Sequence, residues 1–404
     1  MLVAIAWKNV WRNTRRSAIM MTAIALGLWG GLFAVAIFTG MYDAVVNTAI
    51  DRALGHAQVH ARGFLVERDI ARAIPDAGVL ASALRAIPGV SGVSPRTVIE
   101  GMGSSPSSAQ GVRILGVDPA AECAVTAVAR RMVEGRFFEG AGRAPAVIGR
   151  KLAVKLDAKL RSKIVLSFQR PDGSLVYGAF RVAGIFDTES SAFDGQTVFV
   201  RRPDLDALTG ADLVHEIAVR VAHADSLSGI VRQMKAAGPG LEVLDWKELA
   251  PELKLTAEST DVTAGILLGI ILLALLFGIT NTMLMSVLDR VREFGVLMAV
   301  GMRRRKLFAM IVLETLFLAI TAAVCGTGLG LATVAWTART GIDLSWFSDG
   351  LSLYGISSML YPVVHASTYP ALAIMVVLAS CLAALYPAMK AIRLHPASAI
   401  STFG

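Results

Sequence analysis

The chain has 404 residues, of which 54% are hydrophobic and only 17% are charged, and its mean hydropathy is +0.59. Soluble proteins carry about 25% charged residues, so this composition excludes an ordinary soluble protein and predicts a membrane protein. The sequence has an odd number of cysteines, namely Cys123, Cys325 and Cys381. Two of these three lie in long apolar runs. A disulfide framework or a cysteine-rich metal site is therefore not expected.

The net charge of +8 lies at the two ends of the chain. Residues 1–40 carry four basic side chains and no acidic one, and residues 262–404 carry nine basic and five acidic side chains. Residues 41–261 carry 26 of each sign. Because the excess lies beside the apolar segments, it indicates membrane topology and argues against a nucleic-acid surface.

Residues 1–17 precede the first apolar stretch and combine tryptophans with basic side chains, among them Trp7, Lys8 and Arg12. This mixture predicts an amphipathic helix on the cytoplasmic surface of the membrane, and the alternative is a basic topology signal alone. The first membrane span is predicted at residues 18–40. Its apolar stretch is longer than the apolar core of a signal peptide, which favours an uncleaved anchor.

Residues 41–261 are predicted to form a large mixed α/β domain on the outer side, inserted between the first and second spans. Residues 163–168 and 175–182 flank a Pro-Asp-Gly turn, a pattern that is typical of a β-hairpin. We expect a β-rich subdomain at about 130–210.

Common catalytic patterns are missing from the sequence, including the Gly-x-Ser-x-Gly elbow and the His-Glu-x-x-His helix. His56 and His60 lie in a strand-like context, where four residues span about 13 Å, so ordinary polar roles are favoured over metal binding. The Gly-x-x-x-x-Gly-Lys-Ser/Thr phosphate loop is also missing. If ATP drives this protein, another chain must hydrolyse it.

Three further stretches have the roughly 20 apolar residues that are needed to cross a bilayer. These spans are predicted at 262–286, 308–336 and 369–389. Residues 337–368 are predicted to form an outer loop. Its part from 350 to 368 is rich in Gly, Ser, Tyr and Pro, which indicates either a loop or a re-entrant approach to the fourth span. The fold expected is thus an α-helical membrane protein with four transmembrane helices and one outer α/β domain.

Orientation follows from the lysines and arginines near the span ends. The N-terminal segment, the 287–306 connection and the 390–404 tail all carry an excess of basic side chains. We therefore expect both termini and the 287–306 connection in the cytoplasm.

Glu314 lies inside the third predicted span, where a carboxylate costs about 2.5–3.5 kcal/mol on insertion scales. We expect it to pair with the basic cluster of residues 303–306 or to face the interior of the bundle. A structural ion pair is favoured over a proton-coupled role.

Two pairs of glycines have the spacing that lets membrane helices approach closely, Gly27 with Gly31 and Gly326 with Gly330. Glycine is common in membrane helices in any case. The spacing therefore leaves open whether either pair serves dimerisation.

Three segments carry sequence patterns with identifying value: residues 7–16 before the first span, residues 281–303 and residues 386–400. The second span ends in Asn281-Thr282, and the fourth span ends in Tyr386-Pro387-Ala388, which is followed by Pro396-Ala397-Ser398-Ala399. The connection between the second and third spans reads Arg290-Val291-Arg292-Glu293-Phe294-Gly295, then Ala299-Val300-Gly301-Met302-Arg303.

Together these segments resemble the FtsX-like permeases, the MacB-type family of ABC transporter permeases. Residues 55–64 are most similar to the lipoprotein-releasing (LolC/LolE-type) branch. Two features differ from the family: no ATPase domain is fused, unlike in the macrolide exporters, and the turn at 170–174 is short. In the lipoprotein-releasing branch a longer, hooked hairpin recruits the periplasmic carrier.

The resemblance implies a dimer of permeases, made with a second copy or a paralogue, bound to two ABC ATPase subunits. ATP and Mg would be bound by those subunits, so no cofactor is expected in this chain. Residues 287–306 would form the cytoplasmic coupling helix in a groove of the ATPase. The residues that the resemblance assigns to this contact are Arg290, Arg292, Glu293, Gly295, Gly301 and Arg303.

The function implied is that of a non-enzymatic membrane subunit in the inner membrane of a bacterium. It would extract lipoproteins or another lipid-linked cargo from the outer leaflet, with a periplasmic carrier as a further partner and no nucleic acid. Export of drugs, peptides or haem by the same architecture is one alternative. Another is an FtsX-like activator of a cell-wall hydrolase that transports nothing.

Overall fold

The computed structural model describes residues 2–12, 14–138, 142–188, 190–347 and 359–393. These residues form two compact units. The helical unit contains residues 2–42, 257–343 and 359–393, and the sheet unit contains residues 43–256 and 344–347.

The helices of the described residues are numbered in chain order. They are α1 (Leu2–Arg12), α2 (Thr14–Ala49), α3 (Phe64–Glu67), α4 (Ala77–Arg85), α5 (Pro119–Val125), α6 (Arg150–Lys155), α7 (Ser191–Asp194), α8 (Arg202–Thr209), α9 (Leu227–Ala237), α10 (Trp246–Leu249), α11 (Pro251–Asp289), α12 (Val291–Ala299), α13 (Arg304–Thr340) and α14 (Thr368–Ile392). A π-helical turn, Ile50–Leu54, continues α2.

The strands are numbered in the same way. They are β1 (Ala57–His60), β2 (Val90–Ser104), β3 (Ala109–Val117), β4 (Met132–Gly135), β5 (Pro145–Gly149), β6 (Lys163–Gln169), β7 (Leu175–Phe186), β8 (Thr197–Arg201), β9 (Glu216–Val221), β10 (Glu242–Asp245), β11 (Ile342–Asp343) and β12 (Met359–Leu360).

Among the described residues, four helical segments are long and apolar enough to cross a membrane, in agreement with the number predicted. They are Thr14–Leu54, Val262–Asp289, Arg304–Thr340 and Thr368–Ile392. Each contains one predicted span and extends beyond it, because the polar ends of a membrane helix stay helical outside the apolar stretch.

The predicted outer loop at 337–368 begins later in the structure, since α13 continues to Thr340. The short strands β11 and β12 then pair antiparallel. Residues 348–358 lie outside the described residues, as does the part of the tail pattern that begins at Leu394.

The core of the helical unit is apolar and includes side chains from α1 as well as from the long helices. Ala6 and Val10 of α1 are fully buried and join a cluster that contains Leu307, Met310 and Ile311 of α13. The ring of Trp7 meets that of Phe317 edge to face, with centroids 5.4 Å apart. Helix α1 therefore packs against α13 and is part of this core.

The sheet unit is built on one mixed sheet of ten strands. Nine of them run in the order β10-β1-β9-β2-β3-β8-β5-β7-β4, and β6 pairs with both β2 and β7. The predicted hairpin is confirmed, because Lys163–Gln169 pairs antiparallel with Leu175–Phe186 in one continuous register.

The expected β-rich subdomain at about 130–210 does not have a sheet of its own. The fifteen-residue strand β2 pairs with β9 near its start and with β6 near its end. Since β6 falls within the expected subdomain and β9 outside it, one long strand joins both parts into a single sheet.

A buried ion pair lies at the centre of the sheet unit. The guanidinium of Arg96 donates to both carboxylate oxygens of Glu122 at 2.8 Å and also to Glu216. Burial alone would lower the pKa of Arg96, but the attraction of the two carboxylates outweighs it and raises that pKa. Arg96 therefore stays charged inside the domain.

The histidines singled out in the sequence have polar, structural contacts. His60 is fully buried, and its ring nitrogens lie 2.9 Å from Gln58 Oε1 and 3.2 Å from the carbonyl oxygen of His215. His56 precedes strand β1. Among the described residues no group of three or more His, Cys, Asp or Glu side chains could hold a metal ion.

Candidate functional site

A short helix connects the second and third long helices of the helical unit. Helix α11 ends at Asp289, and α12 follows after the single residue Arg290. Beyond α12 the chain turns at Gly301, whose φ of +98° is one that side-chain-bearing residues rarely adopt. Arg303 then precedes the first turn of α13. Helix α12 is thus shorter than the predicted segment 287–306 and is bounded by two sharp turns.

One face of α12 is anchored in the apolar core. Phe294 and Gly295 are buried, and Phe294 packs in the same cluster as Val287 and Leu307. The guanidinium carbon of Arg290 lies 5.2 Å from the centre of the Phe294 ring, within cation–π distance. The helix is therefore held on this side by both apolar and cationic contacts.

Four side chains of alternating sign link α12 to α1 and α13, and we call them the charge chain: Arg12, Glu293, Arg290 and Glu314. Arg12 Nη2 donates to Glu293 at 2.6 Å, and Arg290 Nε donates to Glu293 Oε2 at 2.9 Å. Arg290 Nη1 donates to both oxygens of Glu314 at 3.1 Å. The side-chain exposure falls along the chain, from 58% to 46%, 14% and 11%.

Burial and charge act in opposite directions on Arg290. Burial disfavours the charged form, but the attraction of Glu314 and the hydrogen bond and charge of Glu293 outweigh it, so the pKa of Arg290 is raised. The hydrogen bond from Arg12 lowers the pKa of Glu293, with a smaller contribution from Arg290. Arg290 and Glu293 therefore both stay charged at neutral pH.

Glu314 lies in the interior, one of its two expected positions, and its partner is Arg290. The basic cluster 303–306 is too far along the same helix, because eight or more residues of α-helix extend about 12 Å or more. Arg290 reaches Glu314 because it comes from the preceding connection, which folds back against α13.

The opposite face of α12 is exposed, and we call it the docking face: Arg292, Val296, Ala299 and Val300. Val296 is 54% exposed and Val300 83% exposed. These positions recur at helical spacing and combine apolar side chains with a charge. Exposed apolar side chains with a polar rim are typical of a surface that binds another protein.

A polar cavity of about 290 Å³ lies beside the charge chain. All four members line it, together with Arg16 and others. Arg16 Nη2 is buried, and no hydrogen-bond partner for it is found in the part of the chain that the structure describes. The cavity thus places a further cation beside the charge chain.

Both glycine pairs lie at helix contacts within this chain. A Cβ on Gly326 would lie 2.7 Å from the carbonyl oxygen of Ala25 in α2, and one on Gly330 would lie 2.8 Å from Leu32. A Cβ on Gly27 would lie 2.7 Å from Leu275 of α11, and one on Gly31 would lie 3.3 Å from Leu268. The close approaches involve α2 with α13 and α2 with α11.

The structure brings together most of the residues that the sequence singled out in this region. Arg290, Glu293 and Glu314 are joined directly, whereas Arg292 lies on the exposed face and Arg303 at the start of α13. The contact of Arg12 with Glu293 was not predicted, because the two residues lie far apart in the sequence. A carboxylate inside an apolar span requires a cation nearby, but that signal does not identify Arg290 as the residue that supplies it.

The sequence of the chain matches the models of two protein families. The family described as "MacB-like periplasmic core domain" matches residues 17–237, which is more than half of the chain. The family described as "FtsX-like permease C-terminal" matches residues 265–396 and so includes the charge chain except for Arg12.

Individual relatives match at low identity. The lipoprotein-releasing system transmembrane protein LolC of Xylella fastidiosa (strain 9a5c) is 22% identical over 401 residues, covering 93% of this chain and 91% of that protein. The macrolide export ATP-binding/permease protein MacB of Azoarcus sp. (strain BH72) is 30% identical over 135 residues, covering 32% of this chain and 20% of that protein. The pyoverdine export ATP-binding/permease protein PvdT of Pseudomonas putida is 26% identical over 293 residues, covering 67% of this chain and 40% of that protein.

Proposed function

The chain belongs to this family of ABC transporter permeases of the MacB, FtsX and LolC type, and we propose that α12 is its coupling element. In this proposal the α12 of each permease in a dimer docks on one of two separate ATPase subunits. Those subunits hydrolyse ATP, and the chain itself catalyses nothing. The observation that carries the proposal is the two-sided character of α12. One face is exposed, and the other is joined to α1 and α13 by the charge chain.

The charge chain supports a mechanical path for the coupling. A displacement of α12 pulls on α13 through the pair of Arg290 with Glu314, which is shielded from water and therefore strong. It pulls on α1 through the pair of Arg12 with Glu293, which is exposed and can break at little cost. The inner pair transmits force to α13, and the outer pair can break while α1 stays packed against α13.

We further propose that the cargo is a lipoprotein or another lipid-linked molecule taken from the outer leaflet of a bacterial inner membrane. The support is the relative LolC, which matches along nearly its whole length. A second copy or a paralogue would complete the permease dimer, and a periplasmic carrier would receive the cargo.

A second candidate is export of a small molecule by the same architecture. It is favoured by the similarity to a protein named for macrolide export and to one named for pyoverdine export. Release of a fluorescently labelled lipoprotein from proteoliposomes that contain the permease and its ATPase distinguishes the two. ATP-dependent release supports the lipoprotein, and ATP-dependent uptake of a macrolide without lipoprotein release supports the exporter.

The docking proposal is tested by changing an exposed valine to glutamate at two places. Val296→Glu alters the docking face at a position that is 54% exposed, and Val79→Glu alters a position on α4 that is 74% exposed. Both substitutions leave the core unchanged, so the chain should fold and insert normally in both cases. The measurement is the amount of ATPase that copurifies with the permease from native membranes, followed by ATP turnover.

We expect Val296→Glu to reduce copurified ATPase at least tenfold and Val79→Glu to leave it unchanged. Purified chain without its ATPase should show no ATP turnover. Wild-type amounts of ATPase bound to Val296→Glu would contradict docking on α12.

A further inference from the structure

The sheet unit is neutral as a whole but strongly polarised. Residues 130–181 contain twelve lysines and arginines against four acidic residues, although residues 41–261 contain 26 of each. This basic segment comprises β4 to most of β7 and the connections between them. A concentration of one sign within a balanced domain favours the binding of an anion.

A cavity of about 440 Å³ opens within this basic segment. Among the described residues, no acidic side chain lines it and four arginines do: Arg136, Arg143, Arg161 and Arg181. Leu160 and Val182 also line it and give it an apolar part. We call this cavity the arginine pocket.

The backbone around the arginine pocket is held by strand contacts. The amide of Arg161 donates to the carbonyl oxygen of Val182 at 2.8 Å, and the amide of Arg181 donates to that of Ala144 at 2.9 Å. Arg161 and Ala144 adopt φ angles of +70° and +48°, which are strained for residues with a side chain. Two backbone hydrogen bonds and two residues with positive φ angles thus fix the path of the chain beside the pocket.

Three of the four guanidinium groups have no partner in the part of the chain that the structure describes. No hydrogen bond or ion pair is made there by the side chains of Arg143, Arg161 and Arg181. Each remains more than a third exposed at the pocket. Like charges held close together repel, so an anion placed among them would relieve the repulsion and gain charge-assisted hydrogen bonds.

We propose that the arginine pocket binds a phosphate group, either as a free anion or as the phosphodiester of an anionic phospholipid. Arginine presents a planar set of donors that matches two oxygens of a phosphate at once. The apolar side chains of Leu160 and Val182 beside the arginines would accommodate the carbon atoms next to a phosphodiester. This inference is independent of the transport function proposed above.

The test uses the full-length chain in a neutral detergent, at an ionic strength of about 0.15 M so that long-range attraction is screened. Binding is measured by isothermal titration calorimetry with three probes: inorganic phosphate, dihexanoylphosphatidylglycerol and dihexanoylphosphatidylcholine. The pocket variant is the double substitution Arg161→Gln with Arg181→Gln. The control variant, Lys151→Gln with Lys155→Gln, removes the same charge from exposed positions of α6 outside the pocket.

We expect phosphate or phosphatidylglycerol to bind the wild type and the control variant equally, and to bind the pocket variant at least tenfold more weakly. Tighter binding of phosphatidylglycerol than of phosphate identifies the lipid as the source, and equal binding identifies the free anion. If the pocket variant does not fold, judged by gel filtration, Arg143→Gln should weaken binding at least threefold.

Three outcomes would overturn the proposal. The first is that the wild type binds neither anionic probe. The second is that the control variant weakens binding as much as the pocket variant, which would indicate a general attraction to the basic segment. The third is that phosphatidylcholine binds as tightly as phosphatidylglycerol and phosphate does not bind.

Discussion

Two arginine–glutamate pairs of the charge chain have the same chemistry and different surroundings. In the pair of Arg290 with Glu314 the side chains are 14% and 11% exposed, and in the pair of Arg12 with Glu293 they are 58% and 46% exposed. Removing one partner of a buried pair leaves the other charge without compensation, whereas water solvates the charge that remains at an exposed pair. Burial, and not the residue types, therefore determines which pair stabilises the helical unit.

The first prediction concerns the inner pair. Glu314→Gln should lower the free energy of unfolding by about 2–3 kcal/mol, since Arg290 keeps Glu293 as a partner but loses the charge it faces in the interior. Arg12→Gln should lower it by less than about 1 kcal/mol. The measurement is unfolding of the full chain in mixed micelles with increasing dodecyl sulfate. Equal losses in both variants would show that Glu314 is not buried in a charge pair.

The second prediction concerns pH and rests on Asp194 in the sheet unit. Its carboxylate accepts hydrogen bonds from the amide and hydroxyl of Thr188, at 2.9 Å and 2.6 Å. Burial, opposed by these hydrogen bonds and assisted by Asp187, raises the pKa of Asp194 to about 7. The folded protein then binds a proton more tightly than the unfolded chain, so the stability contributed by Asp194 falls as pH rises from about 4 to 7.

Asp194→Asn removes this dependence, because the amide cannot ionise. The melting temperature of the variant minus that of the wild type should therefore increase from pH 5 to pH 8. Asp172→Asn is the control, since hydrogen bonds from Ser174 lower the pKa of this exposed carboxyl. Its melting difference from the wild type should stay constant over the same range. A constant difference for Asp194→Asn as well would contradict the raised pKa.

At the scale of elements, the structure shows which patterns in a sequence are sufficient for prediction. The hairpin of β6 and β7 was predicted because its turn and both strands lie within two dozen residues. The pairing of β2 with both β9 and β6 was not predicted. These strands lie far apart in the sequence, and no local pattern indicates which strands pair or in which register. For the same reason the ion pair of Arg96 with Glu122 and Glu216 could not be predicted from spacing.

The helices of the helical unit give a similar contrast. Their number follows from apolar length alone, and it was predicted. Which helices pack against each other cannot be predicted from apolar length. Gly326 and Gly328, for example, have similar surroundings in the sequence of α13. In the structure a Cβ on Gly326 would meet the backbone of α2, whereas one on Gly328 would meet nothing within 4 Å.

The third prediction uses this difference. Gly326→Ala should destabilise the helical unit, because the backbone oxygen of Ala25 lies 2.7 Å from the new methyl group and can move only with α2. Gly328→Ala should leave stability unchanged or raise it slightly, as alanine favours helix more than glycine does. Thermal aggregation of the detergent-solubilised chain measures both. Equal melting temperatures for the two variants would show that α2 does not pack closely against Gly326.

At the scale of the whole molecule, the distribution of charge is the strongest guide to topology. The basic excess lies in the segment before the first span, in the connection that contains α12 and in the C-terminal tail, and residues 41–261 are balanced. The structure adds that α12 carries an exposed face and that its Glu293 forms an exposed ion pair with Arg12. Both features are consistent with a cytoplasmic position for α12, where a soluble ATPase can reach it.

The fourth prediction tests this topology in a chain whose cysteines have been replaced at positions 123, 325 and 381. Asp172→Cys, in the exposed turn between β6 and β7, should react in intact spheroplasts with a maleimide that cannot cross membranes. Arg304→Cys, at the start of α13, should react only after the membrane is permeabilised, because the positive-inside rule places it in the cytoplasm. An even number of spans between the two sites would bring both to the same side. Reaction of both cysteines in intact cells would therefore exclude the four-span arrangement, and with it an α12 that an ATPase can reach from the cytoplasm.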